Sequence, residues 1–171
     1  MSSDADGRPP GMSTPTPPLL LRTEPFAEPT DLDLPTDVTV VESHHRDATL
    51  ADLPGIFDAG YSVLAGLGPI GPGYAIYDGD PATRFDLTIG FPVAEAPASV
   101  PDGVEVATFP SGPARVVSHL GGFEGLGPAW ERFLGTPGPE GGPRRIVEIY
   151  VSDPSVTAAE DLRTDLVVPR A

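Results

Sequence analysis

Residues 146–154 read Ile146-Val147-Glu148-Ile149-Tyr150-Val151-Ser152-Asp153-Pro154, and 73 positions earlier the chain reads Gly73-Tyr74-Ala75-Ile76-Tyr77-Asp78-Gly79-Asp80-Pro81. The same offset lays Ile76-Tyr77 on Ile149-Tyr150, Asp80-Pro81 on Asp153-Pro154, Leu53 on Leu126 and Phe57 on Trp130. One offset therefore serves helix, loop, strand and turn. Past the turn, Phe91-Pro92 meets Val168-Pro169 only when the second copy is given four more residues. So long a period implies two subdomains rather than a solenoid. The expected fold class is α+β: duplicated β-α-β-β units related by a pseudo-twofold, forming a curved antiparallel sheet with two helices. A groove between the halves is the natural place for a central ligand cleft.

Working outward, each copy shows the elements this unit needs. Val38 to Glu42 reads as a strand, and Leu50, Leu53, Phe57, Tyr61 and Leu64 recur at helical spacing. Thr49 can cap that helix, and Pro54 is tolerated in its first turn. A Gly/Pro loop, a strand at Tyr74–Tyr77 and a strand from Phe85 to Val93 complete the first unit. In the second, Gly103–Phe109 and Ala114–His119 read as a strand pair around Pro110-Ser111-Gly112-Pro113. Phe123, Leu126, Trp130, Phe133 and Leu134 mark the helix, and strands follow at Arg145–Val151 and Leu162–Val168. The subdomains are expected at about 37–95 and 103–169, within a domain spanning 37–171. Residues 1–36 hold eight prolines and six acidic residues with scattered apolar side chains, and read as a disordered tail.

Strand alternation singles out Glu148. It shares a face with Ile146 and Tyr150, opposite Val147, Ile149 and Val151. The Val/Ile/Val face is expected to pack on the helix, and the Ile/Glu/Tyr face to line the groove, where burial perturbs a carboxylate unless donors or a cation compensate. The bland alternative is a sheet-face Glu paired with Arg115 or Arg163. Only 12 residues are aromatic, yet Phe57, Tyr61, Tyr74, Tyr77, Phe91, Trp130 and Tyr150 fall in the repeated elements. A carboxylate framed by rings favours a flat, lipophilic, often cationic ligand. The candidate ligand-binding set is Glu148, Tyr150, Tyr77, Trp130, Phe57, Tyr74 and Phe91. At matched helix positions, Phe57 and Trp130 also suit a plain core role.

Composition prunes the alternatives. The 171 residues carry 10 Lys+Arg against 25 Asp+Glu, a net charge of −15, with no Lys, Asn, Gln or Cys. Absence of Cys removes disulfides, zinc ribbons and thiol nucleophiles. A chain this acidic is a poor ligand for a polyanion, so no direct nucleic-acid binding is expected. Nothing in the first residues is a signal peptide, and Leu19 to Leu21 is far too short to span a membrane. The expectation is a cytoplasmic protein without membrane association.

Weaker motifs fall away on context. Gly66-Leu67-Gly68-Pro69-Ile70-Gly71 spells GxGxxG but follows a helix and precedes a strand, and Pro69 and Pro72 remove donors a pyrophosphate needs. No cofactor is expected. His44 and His45 are adjacent on a strand and point to opposite faces, so no metal site is expected. Ser118-His119 lacks a nucleophile elbow.

The run Val147-Glu148-Ile149-Tyr150-Val151-Ser152-Asp153-Pro154, with Leu162-Arg163-Thr164-Asp165-Leu166-Val167-Val168-Pro169 after it, resembles the end of GyrI-like domains, also called bacterial transcription activator effector-binding domains. Gly125-Leu126-Gly127-Pro128-Ala129-Trp130-Glu131-Arg132-Phe133 is similar to that family's helix. The resemblance covers about 37–169, more strongly in the second half; the usual Arg-His-x-Gly-Pro-Tyr entry is degraded to Ser118-His119-Leu120-Gly121-Gly122-Phe123. It implies two β-α-β-β subdomains around a ligand cleft, with Glu148 as charge partner of cationic, lipophilic compounds and Trp130 as the helix Trp. Tyr150 and Tyr77 join by alternation and register. Stand-alone members include multidrug-binding and gyrase-protecting proteins; others resemble hydrolases of cyclopropane-containing toxins; regulators add a helix-turn-helix, which is not seen here.

The reading is thus a stand-alone small-molecule binder acting in xenobiotic or toxin protection. The alternative is a hydrolase of strained-ring electrophiles, with Glu148 as catalytic base and Tyr150 or Tyr77 as proton donor. A third is an acidic module that sequesters a protein partner.

Overall fold

The computed structural model describes residues 17–79, 84–135, 144–152 and 156–169. The turns Asp80-Pro81 and Asp153-Pro154 lie outside them. Eight strands form one antiparallel sheet: β1 (Thr30–Leu34), β2 (Thr39–Ala48), β3 (Gly73–Gly79), β4 (Phe85–Pro92), β5 (Val104–Thr108), β6 (Gly112–Leu120), β7 (Arg144–Tyr150) and β8 (Arg163–Pro169). Their spatial order is β1-β6-β8-β7-β3-β4-β2-β5, a curved sheet whose ends do not close. Two helices, α1 (Leu53–Ala65) and α2 (Leu126–Leu134), follow β2 and β6.

The duplication is carried in the register. β3 and β7 pair at the centre with Ala75 opposite Glu148, two positions that the offset of 73 equates. A pseudo-twofold therefore passes through that pair. Tyr74 pairs with Gly90 in the first half and Val147 with Val167 in the second, which is the same register once the four additional residues are counted. The lead-in strands are exchanged between halves: β1 pairs with β6, and β5 with β2. Buried apolar residues before prolines mark both ends: Leu34 closes β1 before Pro35, and Phe109 follows β5 before Pro110. The expected β5–β6 pair is thus corrected. A turn joins them in sequence, but β5 is one edge of the sheet and β6 lies next to the other edge, β1.

Both helices pack on one face. Thr49 and Asp52 open the first, with the Thr49 amide and hydroxyl both bonded to Asp52 Oδ2. Leu53, Ile56, Phe57, Tyr61 and Leu64 of α1 meet Val41, Leu87 and Ile89 of the sheet; Leu126, Ala129, Trp130 and Phe133 of α2 belong to the same core. Gly60 lets α1 lie close on β4, since a Cβ there would run into the Ile89 side chain. Ala75, Tyr77, Ile146 and Leu166 are on this face, and Glu148 shares it by alternation.

The opposite face, with Val147, Ile149, Tyr74 and Ile76, is covered by Leu19, Phe26 and Leu34. This overturns two expectations. The Val/Ile face of β7 does not pack on a helix, and residues 17–36 are not a disordered tail; residues 1–16 lie outside the described residues. Burying Leu19, Phe26 and Leu34 contributes about 1.5–3 kcal/mol each toward ordering that segment. Polar bonds then fix its path. The guanidinium of Arg163 reaches the Thr23 and Arg22 carbonyls at 2.8 and 3.0 Å while forking onto Asp165 at 2.9 and 3.1 Å. Ser118 donates to Asp165 at 2.6 Å and accepts the Phe26 amide at 2.8 Å. Among the described residues, no helix is long and apolar enough to cross a membrane.

Candidate functional site

Among the described residues, Glu148 is the one acidic residue at the middle of the helix-bearing face, and only 5% of it is exposed. Three donors converge on its carboxylate. Tyr150 and Tyr77 donate to Oε1 at 2.6 and 3.0 Å, and the Trp130 indole N–H donates to Oε2 at 2.7 Å. The fold explains each. Tyr150 lies two residues along β7, on the same face; Tyr77 is its counterpart on β3 across the pseudo-twofold; and α2 turns its buried Trp inward.

Among the described residues, no ion pair includes Glu148. Arg163 binds Asp165 on the other face, and Arg115 binds Asp31 at the sheet edge. The bland pairing of Glu148 with either Arg does not occur. Hydrogen bonds to a charged group contribute about 1.5–3 kcal/mol each, against a desolvation cost of several kcal/mol per buried ion. The donors hold the carboxylate in place but bring no positive charge. Burial, reinforced by Glu148, pushes the hydroxyls of Tyr77, Tyr150 and Tyr61 well above the ordinary tyrosine range, so they remain donors.

A shell of rings surrounds this centre. Phe57, Tyr61 and Phe123 stand at 6.0, 6.3 and 5.9 Å from Tyr150, all edge-on, and Phe91 is 5.2 Å from Tyr61. Gly73 faces Tyr150 across β3–β7, where a Cβ would strike the Phe91 ring. Tyr61 closes the inner side by bonding the Tyr74 carbonyl. Phe123 is 43% exposed and forms the rim.

The structure thus brings together Glu148, Tyr150, Tyr77, Trp130, Phe57 and Phe91. It separates Tyr74, which lies on the other face with its hydroxyl on Glu42 Oε2 at 2.7 Å. The reason is parity: Tyr74 and Tyr77 are three residues apart on one strand. Tyr61 and Phe123 are additional ring contacts. Tyr61 follows Phe57 by four residues, a helical neighbour that periodicity already exposes.

The histidines lie elsewhere. His44 Nε2 sits 3.3 Å from Glu42 and 2.8 Å from Glu105, whereas His45 turns to the other face and Ser43. Burial and His44 lower the pKa of His45. A shallow surface depression at His44, Arg46, Gly103, Val104 and Glu105 is far from Glu148 in the sheet order. Among the described residues, no cluster of three His, Cys, Asp or Glu has the geometry of a metal site.

None of the curated proteins matches the sequence. Several solved structures share the fold at low identity. The C-terminal domain of EcmrR aligns at 11% identity and a TM-score of 0.59, covering 83% of this chain and 96% of that one. SAV2435 bound to tetraphenylphosphonium aligns at 15% and 0.55, covering 83% and 93%. A hydrolase from Listeria innocua aligns at 15% and 0.51, covering 86% and 93%. Residues 68–170 match the GyrI-like small molecule binding domain, well over half of the chain. With the duplicated sheet and its two helices, this match makes the chain a member of the GyrI-like small-molecule-binding family.

Proposed function

We propose that this protein binds a flat, lipophilic organic cation over β3 and β7, with Glu148 as its counter-charge. The observation that carries the reading is a carboxylate 5% exposed, held by three neutral donors and paired with no cation among the described residues. A delocalised cation supplies the missing charge at low desolvation cost, and the rings of Phe57, Tyr61, Tyr150 and Phe123 offer π-faces and apolar walls. Entry requires displacement of rim side chains, Phe123 first. The structural similarity to SAV2435, whose structure holds tetraphenylphosphonium, supports this choice of ligand class. A protective role against such compounds follows from sequestration alone.

The test is calorimetric titration of tetraphenylphosphonium into wild type and Glu148→Gln. Micromolar binding lost at least tenfold in the variant supports the reading; equal affinities, or no binding by wild type, sink it.

A hydrolase on the same scaffold is the second reading, favoured by two tyrosine hydroxyls on one carboxylate oxygen and by the shared fold of the Listeria innocua hydrolase. Glu148 would take a proton from water as the water oxygen bonds a ring carbon and the strained C–C bond breaks; Tyr77 or Tyr150 would protonate the released carbon and regain a proton from Glu148. One tyrosine must first leave Oε1 to make room for water. Turnover of a cyclopropane-containing electrophile, abolished by Glu148→Gln, would select this reading over plain binding. Sequestration of a protein partner by the acidic surface is the third; salt-sensitive co-purification unaffected by Glu148→Gln would select it.

A further inference from the structure

Thr164 is fully buried, and its hydroxyl has no hydrogen-bond partner among the described residues. It sits on β8 directly opposite Tyr150 on one side and His119 on the other. By alternation it shares the helix-bearing face with Leu166, which is itself opposite Glu148. The His119 ring is turned away and bonds the Gly122 carbonyl at 2.9 Å. A polar row therefore leads outward from Glu148 on the α2 side, and its middle member is unsatisfied.

The pseudo-twofold supplies the control. The row Tyr150, Thr164, His119 corresponds to Tyr77, Leu87, His45 in the first half, where Leu87 lies opposite both of its neighbours. Leu87 is also fully buried. The fold accepts an apolar side chain at this position and in the sister half has one. A hydroxyl left unpaired there costs about 1–3 kcal/mol in the free protein. Nothing among the described residues offsets that cost, and a hydrogen-bonding group from outside the chain would.

We infer that Thr164 is a ligand contact, a hydrogen-bonding subsite on the α2 side of Glu148. It rests on the cation-binding reading and sharpens it: the preferred ligand is a lipophilic cation that also bears one hydroxyl, ether or carbonyl group. Opposed side chains on neighbouring strands are about 4.5–5.5 Å apart at Cβ, so a single aromatic ring bridges from Tyr150 to Thr164. The first half, with Leu87 at the matching place, has no such contact, and the ligand is bound in one orientation.

The test compares tetraphenylphosphonium with the three triphenyl(hydroxyphenyl)phosphonium isomers, which have the same charge and add one hydroxyl. Wild type is expected to bind the best isomer about tenfold more tightly than the parent cation, a difference of about 1.4 kcal/mol. Thr164→Val, which keeps the shape, brings the two within twofold; Thr164→Ser keeps the preference. A ligand-free measurement is independent of the probes: the thermal midpoint of Thr164→Val equals or exceeds that of wild type. A preference that survives Thr164→Val, no preference in wild type, or a lower midpoint in the variant overturns the assignment. If both cations bind and Glu148→Gln weakens both while Thr164→Val changes nothing, only the Thr164 contact falls. If wild type binds neither, the cation site itself falls and this contact with it.

Discussion

Ala75 and Glu148 face each other across the central strands at the point where the pseudo-twofold crosses the sheet. Symmetry would make this a pair of identical residues, either two carboxylates in contact or none. The chain has one of each. A methyl group on one side leaves room, and a single carboxylate receives both symmetry-related tyrosines, Tyr77 and Tyr150, on one oxygen. A duplicated scaffold thereby holds one buried carboxylate on its axis.

Ala75→Glu tests that arrangement directly. Two buried carboxylates face to face repel and desolvate, so the folded-state pKa of the pair rises above the unfolded value. A group raised in this way costs stability in full above its folded pKa; the cost shrinks as pH falls below that value and is gone below the unfolded one. The variant is expected to be several kcal/mol less stable than wild type near pH 7. Its deficit should shrink steadily as pH is lowered toward about 5, in urea titrations of the two proteins in parallel. A deficit independent of pH would mean that steric crowding, not charge, dominates at the axis.

All four tyrosines of the chain, Tyr61, Tyr74, Tyr77 and Tyr150, have hydroxyls pushed upward by burial first and by a neighbouring carboxylate second. Each folded pKa lies above the unfolded one, so this contribution to stability is complete below about pH 10 and is lost as pH rises beyond it. The folded protein should show no tyrosinate absorbance at 295 nm. Ionisation of all four should appear in one steep step, coincident with loss of the far-ultraviolet circular dichroism. If Tyr61, Tyr77 or Tyr150 titrates near pH 10 while the dichroism is intact, the closed ring shell around Glu148 is contradicted.

Much of this was legible in the sequence, for definite reasons. The repeat of Ile-Tyr-x-x-Asp-Pro carried the register, and alternation placed Glu148 with Tyr150 on one face. Alternation shows that two faces differ, not what covers each. The Val147/Ile149 face needed a cover, and its cover comes from Leu19, Phe26 and Leu34, single apolar residues set among prolines with no period to reveal them. Their anchor, Arg163, lies 140 residues from Thr23. Tyr74 entered the candidate set because it is aromatic and near Tyr77, although parity already placed it on the opposite face. The orphan hydroxyl of Thr164 has no signature in one dimension, because only packing makes it unpaired.

Arg163→Ala should loosen the N-terminal segment before it unfolds the sheet. The substitution leaves Asp165 fully buried without its cation and releases the Thr23 and Arg22 carbonyls. Breaking a buried pair from one side costs about 3–5 kcal/mol. Replacing both partners, Arg163→Met with Asp165→Leu, removes the stranded charge and should recover much of that stability. It should not recover the path of residues 17–29, since the carbonyl contacts are still gone. Limited proteolysis followed by mass analysis checks both statements: cleavage between 17 and 29 should be faster than wild type in either variant. Unchanged proteolysis in both would show that the apolar contacts of Leu19 and Phe26, with the Ser118 bonds to Phe26, hold the segment without Arg163.

Trp130 is the only tryptophan, and its N–H is the sole protein donor given to Glu148 Oε2 among the described residues. Trp130→Phe keeps an aromatic ring on α2 and removes that donor. The free protein should lose about 1–3 kcal/mol, the usual cost of leaving a buried acceptor unsatisfied. The effect on ligand should run the other way. Tetraphenylphosphonium has no N–H and cannot replace the indole bond, so a less satisfied carboxylate gains more from the cation. Binding by Trp130→Phe should therefore equal or exceed that of wild type, opposite in sign to Glu148→Gln. Affinity weakened tenfold or more would assign Trp130 a different part, as a wall whose larger π-face the cation itself requires.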